Sequence, residues 1–325
     1  MVLRIFHLSL LRTVACAFML AGLCVGPAQA EKYASIVIDM ETDTVLHARH
    51  ADELRYPASL TKAMTLYMLF DAMKTGEVGL YEQLPVSRMA AKQPPSALRL
   101  RPGTSITTRD AIYALITKSA NDVAVVVAER LAGTEASFAK EMTVKARAMG
   151  MTRTTFKNAS GLPNRQQLST ARDMAILAER LLVDHADYYG YFANTRFAWG
   201  RANYKNHNRL IGKVEGVDGI KTGYTRASGF NLMASAKRKG RRVIAIMFGG
   251  SSSKSRDAHV TELIEAAYLS LETPNQVAPQ TATASFAEIQ APIDPNDAAM
   301  PVLNGKIFDN SVALVAEGDA GSKAD

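Results

Sequence analysis

The chain has 325 residues, of which 47% are hydrophobic and 21% charged, and its formal net charge is +7. This composition is that of a soluble globular protein and excludes a wholly disordered or fibrous chain. The length is enough for one large domain or two ordinary ones. The basic residues are scattered except for one cluster at 237–242, which we interpret as a solvated hairpin turn and not as a nucleic-acid patch.

The first thirty residues have the pattern of a secretory signal peptide. Arg4 and Arg12 provide a positive start, an apolar stretch runs from 14 to 25, and Ala28-Gln29-Ala30 forms a small-x-small cleavage site. The alternative is a membrane anchor, but the apolar stretch is shorter than the roughly 20 residues that a span needs. We therefore predict export and cleavage after Ala30.

Both cysteines of the chain, Cys16 and Cys24, lie inside this predicted signal peptide. The mature protein would then have no disulfide, no thiol nucleophile and no thiolate metal site. No H-E-x-x-H pattern is present either. The sequence therefore predicts chemistry without a metal or an organic cofactor.

The predicted elements begin with two strands, at 33–39 and 44–48, joined by a turn. A helix at 60–74 follows, with almost no charge between Lys62 and Asp71, so we expect it to be buried. Four more helices are predicted, the first capped by Thr108 and the last opened by Thr170 and Asp173. They span 108–118, 121–131, 135–149 and 170–183.

Three strands in a meander, at 217–224, 230–236 and 242–248, and a helix at 255–271 complete the predicted elements. The order of strands, helices, strands and helix predicts an α+β domain with one antiparallel sheet, in which the first two strands join the last three. From Glu272 onward the composition shifts to Pro, Ala, Thr, Gln and Asp. We expect a disordered tail there, without the basic amphipathic helix of a membrane-surface anchor.

The first candidate motif is Ser59-Leu60-Thr61-Lys62, at the start of the buried helix. Residues three apart share a helix face, so the Lys62 amine can reach the Ser59 hydroxyl. An apolar surrounding would disfavour the charged amine and make it a base near neutral pH. S-x-x-K also occurs at Ser137–Lys140, in a charged amphipathic helix, and at Ser251–Lys254, which we place in a serine-rich loop.

The second motif is Ser119-Ala120-Asn121, between two predicted helices. Its hydroxyl and carboxamide could relay a proton and bind a substrate amide, although both residue types are also ordinary helix caps. The third motif is Lys221-Thr222-Gly223 on a predicted strand, where glycine permits close approach and the polar side chains could bind a carboxylate. A copy at Lys74-Thr75-Gly76 ends a helix and is interpreted as a C-cap.

The three motifs occur in the order and settings typical of penicillin-binding proteins and class A β-lactamases. The segments 57–62, 119–122, 158–163, 169–173 and 216–225 resemble, more narrowly, the low-molecular-mass serine-type D-alanyl-D-alanine carboxypeptidases of peptidase family S11. Ala120 stands where that family usually has glycine. The resemblance covers roughly residues 34–270. It implies a β-lactamase/transpeptidase-like α+β sandwich, with a sheet of about five antiparallel strands and helices on both faces.

The resemblance also implies roles for individual residues. Ser59 would be the acylated nucleophile, Lys62 its base, and Ser119 and Asn121 would assist proton transfer and hold the substrate. The terminal carboxylate would bind in the third motif, and two backbone N–H groups would form the oxyanion hole. The carboxylate-binding residues would be Lys221, Thr222, Gly223 and Thr225, and the oxyanion donors Ser59 and Tyr224.

By the same resemblance, the protein would act in the periplasm or cell envelope on peptidoglycan pentapeptides, and β-lactams would be covalent inhibitors. A D,D-endopeptidase of peptidoglycan and a serine β-lactamase on the same scaffold remain alternatives. Two features depart from the family. Ser251 follows Gly249-Gly250 where some members have a carboxylate-binding arginine, so Arg256 is only a nearby candidate. The chain after Leu271 is too short and polar for the family's extra domain and anchor, which makes a stable membrane anchor unexpected.

Overall fold

A computed structural model describes residues 32–273 of the chain. The predicted signal peptide at 1–30 and the predicted tail beyond 273 lie outside these residues. The strands are β1 (Ala34–Asp39), β2 (Thr44–Arg49), β3 (Gln83–Pro85), β4 (Ser105–Thr107), β5 (Arg196–Trp199), β6 (Ala202–Lys205), β7 (Val217–Thr225), β8 (Gly229–Arg238) and β9 (Arg241–Gly250). The helices are α1 (Thr61–Lys74), α2 (Arg88–Ala91), α3 (Thr108–Tyr113), α4 (Asn121–Ala132), α5 (Glu135–Ala148), α6 (Ala171–Asp184), α7 (Ala186–Tyr189) and α8 (Ser253–Glu272).

The main sheet has five antiparallel strands in the order β2-β1-β9-β8-β7. The first two strands of the chain therefore join the last three, which confirms the predicted α+β architecture. Strand β7, which contains the third motif, lies at one edge of the sheet and leaves one side of its backbone open to a neighbour. The 237–242 cluster is the tight turn between β8 and β9, as predicted.

Helices cover both faces of the sheet. The larger core lies between one face and the helices of the middle of the chain, and it includes α1, in which ten of fourteen residues are buried. On the other face, α8 contributes Val260, Leu263, Ile264, Ala267 and Tyr268, whose spacing places them on one helical stripe. Helix α1 is thus enclosed in the domain, and its N-terminus lies near β7 at the edge of the sheet.

Several local predictions were wrong. The cap of α3 is Thr107, whose side chain accepts from the Asp110 N–H, and not Thr108. That helix ends at Tyr113, and the residues up to Lys118 form a π-helical turn. Lys254, placed in a loop from sequence, lies in the first turn of α8, where the Ser252 cap starts the helix. The hairpins β3–β4 and β5–β6 were missed because three or four residues are too few to show alternation.

Within residues 32–273, no helix is long and apolar enough to cross a lipid bilayer.

Candidate active site

Ser59 lies in a short 3₁₀ turn, Ala58–Leu60, that leads directly into α1. The preceding Ala58 has a φ of 49°, a left-handed conformation that is costly for a residue with a side chain. Strand β7 passes close by, since a Cβ on Gly223 would lie 3.0 Å from the Pro57 oxygen and 3.1 Å from the Ser59 nitrogen. Glycine at 223 therefore lets the third motif pack against the first.

Lys62 extends its amine into the space between three chain segments. Its Nζ lies 3.2 Å from the Ser59 Oγ and 2.8 Å from the Asn121 Oδ1, and it also donates to the backbone oxygen of Ser160. The side chain is completely buried. The predicted approach of Lys62 to Ser59 is therefore present, and Asn121 of the second motif is in direct contact with the same amine.

The surroundings of Lys62 favour its neutral form. Burial lowers its pKa well below the ordinary value, and the charge of Lys221 lowers it further. The carboxylates of Asp122 and Glu135 act in the opposite direction, but neither hydrogen-bonds to the amine. A lysine without a contacting carboxylate and with a lowered pKa can accept a proton from a neighbouring hydroxyl.

No side chain of the second motif caps α4, whose N-cap is Ala120, although Ser119 is the C-cap residue of the preceding π-helical turn. Ser119 has a φ of 58° and follows the π-helical turn. Its Oγ is buried without a hydrogen-bond partner. Asn121 donates its amide to the Pro94 oxygen at 2.9 Å while its oxygen accepts from Lys62. The Ser119 hydroxyl therefore has no hydrogen-bond partner among the described residues. The Ser119 backbone is also in a strained conformation of the kind that often occurs at functional sites.

Asp122 fixes the loop that flanks this motif. Its carboxylate accepts from the backbone N–H groups of Leu98 and Leu100, both at 3.1 Å. The Ser96 oxygen accepts from the Asn121 N–H at 2.7 Å, which ties the same loop to the start of α4. This explains why the residue after Asn121 is acidic, which sequence reasoning left without a role.

Segment 158–163 was noted in the sequence but was given no role. In the structure it lies against the nucleophile turn, where the Ser160 backbone oxygen binds Lys62 and the Ala159 oxygen accepts from Thr65. Gly161 has a φ of 84°, and a Cβ there would lie 1.9 Å from the Ala58 oxygen. Any residue can supply a backbone acceptor, so the sequence does not reveal the bond between Ser160 and Lys62. Only Gly161 could have indicated that this segment packs closely against another.

We expect Gly161→Ala to displace the turn that presents Ser59, because the new Cβ would overlap the backbone of Ala58. The matched control is Gly150→Ala, since Gly150 has a similar φ of 88° but no heavy atom within 4 Å of its would-be Cβ. The control should cost about 1–2 kcal/mol through backbone strain alone. Gly161→Ala should cost at least about 2 kcal/mol more and slow acylation. Denaturant unfolding and penicillin labelling measure both, and equal losses of stability would contradict this packing argument.

The third motif contributes a second buried lysine. Among residues 32–273, the Lys221 amine has one hydrogen-bond partner, the Thr222 oxygen at 3.0 Å. Burial and the nearby charge of Arg256 lower its pKa to about 7. Arg256 is itself buried in the first turns of α8 and is paired with Asp257 at 2.5 Å. The cleft therefore holds Lys221 within reach of the Arg256 charge, and a bound anion would be stabilised when Lys221 is protonated.

The remaining residues of the third motif line the same edge. Thr222 is buried opposite Leu232 in the sheet. The Thr225 hydroxyl is hydrogen-bonded to Ser228 at 2.9 Å in the turn that ends β7, so a ligand would have to exchange that bond. Tyr224 is 56% exposed, and its ring packs on Phe230 with centroids 4.3 Å apart.

His207 lies on the rim of this cleft and was not predicted as part of it. Its side chain reaches solvent, but burial by the cleft and then the charges of Lys221 and Lys118 lower its pKa to about 4. Asn208 next to it donates to the Gly219 oxygen at 2.9 Å, which joins this loop to β7. The His207 imidazole is therefore neutral at neutral pH. No sequence pattern linked His207 to the three motifs.

No group of three or more side chains that could hold a metal ion occurs in the described range 32–273.

A five-stranded sheet with helices on both faces, and a serine–lysine pair at the start of its buried helix, is the architecture of penicillin-binding proteins and transpeptidases. The sequence profile "Peptidase_S11: D-alanyl-D-alanine carboxypeptidase" matches residues 24–252. The chain therefore belongs to the D-alanyl-D-alanine carboxypeptidase family, peptidase S11.

Individual relatives agree with this assignment. D-alanyl-D-alanine carboxypeptidase DacF of Bacillus subtilis is 35% identical over 254 residues, which cover 75% of this chain and 64% of that protein. The structure of penicillin-binding protein 5 from Haemophilus influenzae has a TM-score of 0.71 and 29% identity, covering 73% of this chain and 70% of the other. Penicillin-binding protein D2 from Listeria monocytogenes, in its cefotaxime-bound form, has a TM-score of 0.67 and 31% identity, covering 75% and 100%. The chain spans slightly less than two thirds of the length of the curated Bacillus relative.

Proposed function

We propose that this protein is a serine-type D-alanyl-D-alanine carboxypeptidase that removes the terminal D-alanine from peptidoglycan pentapeptides. The Ser59 oxygen attacks the carbonyl carbon of the D-Ala-D-Ala bond, and its proton passes to Lys62. The proton is then delivered to the nitrogen of the departing D-alanine, and an ester remains on Ser59. Water hydrolyses this ester, returns a proton to the serine and releases the shortened peptide.

The observation that carries this proposal is the environment of the Lys62 amine. It is buried, no carboxylate of residues 32–273 hydrogen-bonds to it, and it lies within hydrogen-bond reach of the Ser59 hydroxyl. Asn121 and the Ser160 oxygen hold it in that position. A serine beside a desolvated lysine can be activated without a histidine. The unpartnered Ser119 hydroxyl is then available to pass the proton towards the leaving nitrogen.

The assignment as a carboxypeptidase depends on how the protein binds the C-terminal carboxylate of its substrate. We assign the terminal carboxylate to Lys221, Thr222 and Thr225, with Gly223 giving the peptide room beside β7. We assign Arg256 to the role of the arginine that is missing after Gly249-Gly250, because its Cβ would lie 3.0 Å from a Cβ on Gly250 and its charge lowers the pKa of Lys221. The N–H groups of Ser59 and Tyr224 would stabilise the oxyanion, and one such donor contributes about 2.7–4 kcal/mol in other enzymes.

β-Lactams should acylate the same serine, as supported by a similar protein that was solved with cefotaxime bound. A rival function is that of a class A β-lactamase, which needs a glutamate from an E-x-x-L-N segment to activate the deacylating water. The glutamates between Asn121 and Lys221 are Glu129, Glu135, Glu141, Glu179 and Glu215, and none is followed by L-N at that spacing. This absence favours the peptidase.

The test compares two rates on one preparation. We expect slow release of penicilloyl from Ser59 and much faster release of D-alanine from a peptide ending in D-Ala-D-Ala. Mass spectrometry of products from a muropeptide mixture then separates loss of one alanine from cleavage of cross-links, which a D,D-endopeptidase would produce. Rapid penicillin hydrolysis without D-alanine release would identify a β-lactamase instead.

The substrate places the enzyme outside the cytoplasm, and we propose export to the periplasm or cell envelope with cleavage after Ala30. The support is the signal-peptide pattern of the first thirty residues. N-terminal sequencing of the protein recovered from an envelope fraction tests it, with Glu31 expected as the first residue.

A further inference from the structure

Residues 157–161 form neither a helix nor a strand, and we call them the acceptor loop because Ser160 supplies the backbone acceptor in the active site. Side chains bind the backbone of this loop. The Gln167 Oε1 accepts from its first two N–H groups, at 2.8 and 3.0 Å, and the Asn158 Oδ1 accepts from the Gly161 N–H at 2.7 Å. The Gly161 N–H and the Ser160 oxygen belong to the same peptide group. The orientation of the Ser160 carbonyl therefore depends on the side chains around the loop.

Ala159, at the centre of the acceptor loop, is bound by two different helices. Its N–H donates to the Glu135 Oε1 at 3.0 Å, and its oxygen accepts from the Thr65 hydroxyl at 2.6 Å. Glu135 is the first residue of α5, and Thr65 lies in α1, three residues after Lys62. Ala159 is completely buried, so its polar groups would be left unsatisfied if either partner were removed. These two bonds therefore fix the residue that precedes Ser160.

A movement of Ala159 would be passed on to the Lys62 amine. The next residue, Ser160, is also completely buried, and its oxygen accepts from Lys62. Neighbouring Cα atoms are held about 3.8 Å apart, so a shift of one residue displaces the carbonyl of the next. A displacement of about 1 Å at a reacting group can slow catalysis by about a hundredfold. The position of the Lys62 amine therefore depends on residues that the amine does not contact.

Glu135 also acts on Lys62 through its charge. Burial raises the pKa of the half-buried Glu135 carboxyl, against the opposing effects of the Ala159 N–H and the Lys62 charge. Burial and then the charge of Lys221 lower the pKa of Lys62. The carboxylates of Asp122 and Glu135 act in the opposite direction and raise it. Loss of the Glu135 charge should therefore lower the pKa of Lys62 further.

From these contacts we propose that Glu135 is a positioning residue for the Lys62 amine and acts through the backbone of the acceptor loop, without contact to the amine itself. The proposal rests on the part of the proposed function in which Lys62 accepts the Ser59 proton. Two substitutions separate the position of the Glu135 oxygen from its charge. Glu135→Gln keeps the acceptor oxygen and removes the charge, whereas Glu135→Ala removes both.

The first measurement compares these variants in the full chain. We expect Glu135→Ala to lower kcat/KM for D-alanine release, and the rate constant of acylation by a fluorescent penicillin, by about tenfold to a hundredfold. Glu135→Gln should restore most of both rates, because its oxygen can accept from the Ala159 N–H. Glu141→Ala is the control, since Glu141 is an exposed carboxylate of the same helix, and it should keep both rates. The acylation rate constant is taken per labelled site, so a fraction of unfolded protein does not affect it.

The pH profile supplies a readout that a purely structural role would not change. Lys62 must be neutral to accept the Ser59 proton, so kcat/KM rises with pH through the pKa of Lys62. Glu135→Gln removes a negative charge that raises this pKa, so the rising limb should move to lower pH. The falling limb, which we assign to Lys221, should stay in place, because burial and the charge of Arg256 lower the pKa of that lysine.

Thr65→Val tests the other bond to Ala159. It keeps the shape of the buried side chain and removes the donor to the Ala159 oxygen. It should slow acylation as Glu135→Ala does. The double variant should lose less than the product of the two single losses, since both substitutions act on the same buried backbone.

Each result decides the proposal. Unchanged acylation rate constants in Glu135→Ala, or in Thr65→Val where Glu135→Ala does not fold, would overturn it. Equal losses in Glu135→Gln and Glu135→Ala would also contradict it, and so would a rising limb that Glu135→Gln leaves in place. Failure of the unsubstituted protein to release D-alanine would overturn the proposed function alone, because the rate of acylation by penicillin would still decide the role of Glu135.

Discussion

Ser59→Ala should abolish both covalent labelling by a fluorescent penicillin and release of D-alanine from a D-Ala-D-Ala peptide. The Ser59 oxygen is the nucleophile of the acylation step, and the loss of such a group lowers turnover by at least about 10⁴-fold in comparable serine enzymes. Labelling is read on a denaturing gel, and the acylated peptide is located by mass spectrometry. The substitution should leave folding intact, because the Ser59 side chain is partly exposed and contributes one hydrogen bond, with Lys62.

The chain offers two matched controls for this prediction, since S-x-x-K occurs three times. Ser137 is in the first turn of α5, where it interacts with Thr134, and Lys140 is exposed. Ser251 lies just before α8 and interacts with Ser255. Neither serine contacts a buried lysine, so Ser137→Ala and Ser251→Ala should keep full labelling. Label retained by the Ser59 variant, or lost from either control, would show that the nucleophile is misassigned.

The features predicted well from sequence are those that a side-chain pattern encodes. The uncharged stretch of α1 predicted its burial, and burial is what gives the Ser59–Lys62 spacing its meaning. The long strands β7, β8 and β9 were predicted within two residues at their ends because each has a continuous buried run. The third motif was placed correctly because it lies inside one of these strands.

The contacts that were not predicted depend on the backbone or on distant segments. The acceptor at Ser160 is a carbonyl oxygen, which any residue would supply. The charge of Arg256 on α8 lowers the pKa of Lys221 on β7, and the Lys118 amine packs against Tyr204 of the missed β5–β6 hairpin. Such contacts require the tertiary structure, because sequence spacing constrains only neighbours within one element.

The pH dependence of the reaction should report both buried lysines. Lys62 must be neutral to accept the Ser59 proton, so kcat/KM rises with pH through its lowered pKa. Lys221 must be charged to hold the substrate carboxylate, so kcat/KM falls as the pH passes its pKa of about 7. Because kcat/KM reflects the free enzyme and kcat the complex, the bound carboxylate should move the falling limb of kcat to higher pH. Initial rates between about pH 5 and pH 10 measure both limbs.

Lys62→Arg should then reduce acylation by about a thousandfold or more, although it keeps a long basic side chain at this position. An arginine stays protonated throughout the accessible pH range, so it cannot accept the proton of Ser59, and general-base catalysis alone is worth about 10²–10⁴-fold. The bulkier guanidinium must also fit between Asn121 and the Ser160 oxygen, so the unfolding midpoint is measured beside the labelling rate.

Lys140→Arg is the matched control, because it makes the same change in the exposed S-x-x-K copy of α5. It should keep the unsubstituted rate. If Lys62→Arg folds normally and is still acylated at close to that rate, the lysine serves only to hold charge, and the base must be sought at Ser119.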